Sequence, residues 1–245
     1  MSANLDTLER VARRLGPLND EVVFVGGAVT ELLVTDPGAP EPRMTGDIDA
    51  IVEVATRPQY YEFSEKLRAA GFSEDRSEDA PMCRWVVEGI KVDLMPLDEG
   101  ILGFSNRWYS ETIRSAVVRR LPGGTDIRVV TAPYFLATKL EAFAGRGAGD
   151  FAASHDLEDF IAVVDGRPEL LDEVRNAPGD LRRYLSERID RLLQADAFLG
   201  AVPGHLAPDE ANQQRVPTVL ESLRALAATA SVSVIMVRIS CDTSG

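Results

Sequence analysis

Asp47-Ile48-Asp49-Ala50-Ile51-Val52 alternates acidic with apolar residues and then turns wholly apolar. Successive side chains of a strand point to opposite faces, so one strand over 47–54 projects both aspartates from the same face, roughly 6.6 Å apart by strand rise. Working upstream, Asp36-Pro37-Gly38-Ala39-Pro40-Glu41-Pro42 is a loop, because three prolines cannot sit in a regular element. Before it, Val22-Val23-Phe24-Val25 reads as a short strand, breaks at Gly26-Gly27 and gives way to a helical pattern over Ala28 to Leu33. A glycine turn between strand and helix lets backbone N–H groups approach a phosphate at a helix N-terminus.

Downstream, Tyr60 to Ala70 is a helix closed at Gly71, and Cys83 to Val87 and Ile90 to Met95 are two strands joined at Glu88-Gly89, the pattern of a hairpin. Asp93 stands among apolar neighbours in Lys91-Val92-Asp93-Leu94-Met95-Pro96. A buried carboxylate without a partner is costly. It therefore pairs with Lys91 or an arginine, or it joins Asp47 and Asp49 on a neighbouring strand as a metal ligand. Mg²⁺ takes carboxylate oxygens, and two divalent ions about 3.5–4 Å apart can activate the attacking oxygen and support the leaving one in phosphoryl chemistry. Asp47, Asp49 and Asp93 are accordingly the expected catalytic and metal residues, with Mg²⁺ (or Mn²⁺) as cofactor and Gly26 and Gly27 as nucleotide-binding residues.

The second half is helical. Ile127 to Val130 is a short strand, after which Pro133 opens a helix carrying Lys139. Ser154 to Val164, Pro168 to Asn176, Asp180 to Leu193 and Asp209 to Ala228 all space their apolar residues near 3.6, with Gly200 to Pro208 as a connector. Leu5, Leu8, Val11, Ala12 and Leu15 give an opening helix that stops at Gly16-Pro17. Ser231 to Ser240 alternates in strand fashion and suggests no function.

Composition narrows the classes. With 245 residues, 45% hydrophobic and 27% charged, the chain can bury a sizeable core and lies far from disordered compositions. The formal net charge of −13 disfavours broad nucleic-acid binding, yet a bound divalent ion can invert the local field at a polyphosphate site. Cys83 and Cys241 match no zinc or redox spacing, and no apolar run approaches the roughly 18 residues of a membrane span, so a cytoplasmic protein without a membrane partner is expected. Arg114, Arg119, Arg120 and Arg128 form either a solvated face or a patch for an RNA or protein acceptor.

The run Val25-Gly26-Gly27-Ala28-Val29-Thr30-Glu31-Leu32-Leu33, followed by Thr45-Gly46-Asp47-Ile48-Asp49, resembles the signature of the DNA polymerase beta-like nucleotidyltransferase superfamily. Its first part is similar to the head domain of CCA-adding enzymes and poly(A) polymerases, although Thr30-Glu31 stands where CCA-adding enzymes carry Arg-Asp, which argues against CCA addition. The later helices resemble the AbiEii-type toxins of type IV toxin–antitoxin systems, in which a lysine, an arginine and a Lys/Arg-Asp-x-x-Asp helix follow in order. Lys139, Arg146, Asp156 and Asp159 keep that order, with His155 in place of the basic residue. The resemblance spans Val22 to Val164. It implies that Lys139 contacts a triphosphate, that Asp156 is catalytic beside the reacting groups, and that Asp93 helps deprotonate the acceptor.

These readings give an α/β fold: a small mixed β-sheet with flanking helices, then a mostly helical C-terminal subdomain. The expected boundaries are a catalytic domain over 1–131, a helical subdomain over 132–230 and a tail over 231–245. The expected activity is transfer of a nucleoside monophosphate (NMP) from a nucleoside triphosphate (NTP) to a hydroxyl on tRNA, a protein or a small molecule, in a toxin-like component with a possible cognate antitoxin. The alternatives are a non-catalytic nucleotide-binding or antitoxin-like protein of the same fold, and a metal-dependent phosphohydrolase.

Overall fold

The fold is that of a computed structural model, which describes residues 2–103, 105–146 and 149–232. Its centre is a seven-stranded mixed sheet made of β1 (Val22–Val25), β2 (Asp47–Val52), β3 (Ser73–Glu74), β4 (Arg84–Val87), β5 (Ile90–Met95), β6 (Val117–Arg120) and β7 (Asp126–Val129). The strand order is β3-β4-β5-β2-β1-β7-β6. The acid-bearing strand β2 is thus the middle of seven, antiparallel to β1 and parallel to β5.

Among the described residues twelve α-helices surround and extend the sheet: α1 (Ala3–Leu15), α2 (Thr30–Leu33), α3 (Arg57–Ala69), α4 (Glu99–Leu102), α5 (Tyr109–Ser115), α6 (Ala132–Arg146), α7 (His155–Gly166), α8 (Leu170–Arg175), α9 (Gly179–Leu193), α10 (Asp196–Ala201), α11 (Glu210–Gln213) and α12 (Val216–Ala227). Their ends follow local chemistry. The Ser2, Thr56 and Ser154 hydroxyls accept from the N–H groups of Leu5, Gln59 and Leu157, capping α1, α3 and α7. Gly16 closes α1 at φ 56°.

The hydrophobic core is continuous. Phe24, Ile48, Val92 and Trp85 from the sheet and Phe135, Phe160, Leu185 and Val219 from the helices belong to one buried cluster. Trp108, just before α5, stands edge-on to Tyr184 of α9 at 5.0 Å between ring centroids. Both tryptophans are core residues, 2% and 4% exposed.

Several expectations are refined. The helix after the glycine turn is a 3-10 turn over Gly27–Val29 followed by the single α-turn of α2, and the helix expected over 209–228 is broken into α11 and α12. Strands β3 and β6 and helix α5 were not expected. The pattern over 231–240 lies almost wholly outside the described residues; Ala228–Val232 is a 3-10 turn. In the basic cluster Arg114 pairs with Glu111 and Arg120 with Asp126 while both stay largely exposed, Arg119 is exposed, and Arg128 donates to the carbonyls of Asp20 and Ile113. Among the described residues no helix is long and apolar enough to cross a membrane.

Candidate active site

Strand register brings the three sheet acids together. Asp49 lies directly beside Asp93 across the parallel β2–β5 pair, and Asp47 follows two residues earlier on the same face. On the other side Asp49 faces Val25, the last residue of β1, so the acids stand where β1 ends and the glycine turn begins. The turn is shaped around them. Gly26 has φ 72°, and a Cβ there would fall inside the Asp49 carboxylate. A Cβ on Gly27 would lie 3.0 Å from atoms of Arg43, Thr45 and Asp159. Glycine is required at 26 both for its backbone conformation and for this close approach.

The helical part adds a second group of charges. Lys139 on α6 is 8% exposed, with Nζ 2.7 Å from Asp159 Oδ2 and 3.3 Å from Asp156 Oδ1, both on α7. Burial alone would push this ammonium towards its neutral form. The negative charges of Asp159, Asp156 and Asp49 overcome that and hold its pKa above the usual lysine value. Asp159 itself is 1% exposed and accepts two hydrogen bonds from Arg43, at 3.0 Å from Nε and 3.1 Å from Nη2. Arg43 comes from the loop before β2. That loop is pinned to α1 through Asn4, which donates to the Arg43 carbonyl and accepts from the Thr45 N–H. Gly26, Gly27, Asp49, Lys139, Asp156 and Asp159, separated by up to 133 residues in sequence, are thus linked through direct contacts or mutual fields.

The sheet acids carry a partner that the sequence reading left open. Arg84, opposite Asp93 across the β4–β5 hairpin, places Nε 2.7 Å from Asp93 Oδ1 and Nη2 2.7 Å from Asp93 Oδ2. The same Nη2 is 2.8 Å from Asp47 Oδ2. The hydrogen bonds to Asp93 come first among the causes that raise the Arg84 pKa, so its charge is permanent. Lys91, the other cation considered for Asp93, is the register partner of Asp47 and is exposed. The carboxylates are chemically suited to Mg²⁺, but a guanidinium already occupies the oxygens of Asp93 and one of Asp47. Among the described residues no group of three or more His, Cys, Asp or Glu side chains is arranged to hold a metal ion. In this arrangement the residues do not fit the metal expected from the sequence.

Arg43 and Arg84 are the functional candidates that sequence reasoning did not single out. His155 is an exposed partner of Glu158, and His205 contacts the Phe151 carbonyl, so neither enters the site. The Arg146 side chain lies outside the described residues. A groove of about 530 Å³ lined by Asp36, Arg167, Arg215, Glu221 and Leu226 shares no residue with the acid face. Concavity alone would favour that groove; the convergence of buried charges favours the acid face.

No family model and no curated protein matches the chain. Two solved structures are similar to it over most of its length. JHP933 from Helicobacter pylori is 14% identical, with 95% of this chain and 92% of that one covered and a TM-score of 0.45. A candidate nucleotidyltransferase from H. pylori is 12% identical, with 95% of each chain covered and a TM-score of 0.44. Likeness at that level fixes neither substrate nor mechanism, which rest on the site itself.

Proposed function

We propose that the chain is a nucleotidyltransferase that moves an NMP from an NTP to a hydroxyl acceptor. The observation that carries this reading is the meeting of Asp49 with the Gly26-Gly27 turn beside the Lys139–Asp159–Arg43 cluster. A triphosphate needs cations and backbone donors at its phosphates and carboxylates beside its reacting α-phosphorus, and this arrangement supplies both kinds of group.

In the proposed reaction the acceptor oxygen forms a bond to the α-phosphorus while the bond to the β-bridging oxygen breaks. Pyrophosphate leaves with that electron pair, and the acceptor proton passes to a carboxylate of the acid face. Lys139 and Arg43 are the cations suited to the triphosphate, with Gly26 and Gly27 offering backbone approach. Asp156 and Asp159 hold Lys139 in place. Asp93 can act as base only once Arg84 releases it. Mg²⁺ or Mn²⁺ is proposed as cofactor on the same condition, and no step is derived through it. The acceptor is a tRNA, a protein or a small molecule, and the net charge of −13 disfavours long RNA. A toxin-like role with a cognate antitoxin and a cytoplasmic setting belong to the same proposal.

The test uses one NTP labelled at the α- or the γ-phosphate, with divalent metal and tRNA or cell lysate. Nucleotidyl transfer labels an acceptor from the α-position alone, and Asp49→Asn or Lys139→Met lowers the labelling by about a hundredfold or more. Labelling from the γ-position, release of inorganic phosphate without acceptor labelling, or full activity in Asp49→Asn would reject the proposal.

A further inference from the structure

The disagreement between the acid face and an intact metal site has a specific cause. Arg84 engages both oxygens of Asp93 and one of Asp47 through a single planar fork. A divalent ion ligated by Asp93 would draw on oxygens that already accept from Arg84. It would also stand beside a fixed positive charge, and like charges this close repel strongly in a partly buried setting. Without any cation, Asp47 and Asp93 would repel each other, so one positive partner is required and two compete.

We infer that the Arg84 guanidinium is the resting counter-cation of the acid face, and that a divalent ion gains Asp47 and Asp93 only by displacing it. The geometry permits the exchange. The side chains of Arg84, Asp93 and Asp47 are 18%, 12% and 36% exposed, so an ion from solvent can reach the oxygens. Arg84 extends from the first residue of β4, whose backbone is fixed independently by hydrogen bonds to Pro81 and Asp75, so its side chain can leave without unzipping the hairpin. Metal-free chain therefore keeps Asp47 and Asp93 bridged by one positive charge, and metal loading is coupled to movement of one side chain. This inference rests on the reading of the acid face as the metal-dependent reaction centre.

The test is Mn²⁺ titration of the full chain, read by electron paramagnetic resonance of the free ion, for wild type, Arg84→Met, Arg84→Lys and Arg84→Met/Asp93→Asn. Competition predicts Mn²⁺ binding at least about tenfold tighter in Arg84→Met than in wild type. The double variant loses that gain. Arg84→Lys falls between, because a point charge cannot fork across both carboxylates. Thermal unfolding gives a second readout: Arg84→Met melts lower in chelator, and Mn²⁺ restores it more than it raises wild type. Should Arg84→Met not fold, Arg84→Lys alone must still bind Mn²⁺ more tightly than wild type. Equal affinity in folded wild type and Arg84 variants, or a gain that survives Asp93→Asn, overturns the inference. These outcomes are separate from label transfer, so tighter binding without NMP transfer rejects the activity and keeps the exchange.

Discussion

Cys83 reports on the acid face from one residue away. Its thiol is buried, and burial first, then the negative charges of Asp93 and Asp49, push its pKa up to about 12. A raised thiol pKa means that the folded chain prefers the protonated form. The resulting stability is complete below the ordinary value of 9.0 and is lost as pH climbs through the folded value. Unfolding free energy should therefore fall between pH 9 and 12, with Cys83 contributing up to about 1.4 kcal/mol per pH unit. Denaturant titrations should show a shallower decline in Cys83→Ala, and alkylation mapped to Cys83 at pH 9 should require unfolding. Rapid alkylation of native chain there would contradict the account. At the same scale, Lys139 shows why a motif in sequence is only half a site. Its position on a helix was readable, whereas its burial against Asp159 depends on how α6 and α7 pack.

Elements differ in how plainly they announce themselves. Strands β2 and β5 were legible because apolar residues alternate there with Asp47, Asp49, Lys91 and Asp93, and the β4–β5 hairpin because Glu88 and Gly89 supply the positive φ values, 50° and 79°, of a two-residue turn. That turn also fixes Val87 opposite Ile90 and hence Arg84 opposite Asp93, so the Arg84 pairing was present in the sequence for a reader who counted register. Strand β6 was hidden for the opposite reason: Val117, Val118, Arg119 and Arg120 are all exposed and carry no period. Arg43 lies in a loop whose course is set by tertiary contacts, among them the two hydrogen bonds with Asn4. Removing those contacts should show what the loop does. Asn4→Ala deletes one hydrogen bond from its side chain and one to it, at a cost of about 1–3 kcal/mol. If Arg43 serves the triphosphate, the variant raises KM for NTP more than it lowers kcat. An unchanged KM in steady-state kinetics would detach this loop from nucleotide binding.

At the scale of the whole molecule, the proposed division at residue 131 cuts through a continuous core. Phe24 of β1, Phe135 of α6 and Phe160 of α7 are all fully buried in one cluster, and the acid face draws on both sides of the boundary. Calorimetry should accordingly give one cooperative transition with matching calorimetric and van't Hoff enthalpies. Two resolved transitions would mean that the parts fold independently and that the site depends on weak docking.

The central claim is that the charges gathered around Gly26-Gly27 form one triphosphate site, and a crystal structure of the chain with a non-hydrolysable NTP analogue tests it most directly. The account predicts the phosphates between the glycine turn, Lys139 and Arg43, with the α-phosphorus facing Asp49. An analogue bound instead in the groove lined by Arg167 and Arg215, with Lys139 still closed on Asp156 and Asp159, would contradict it.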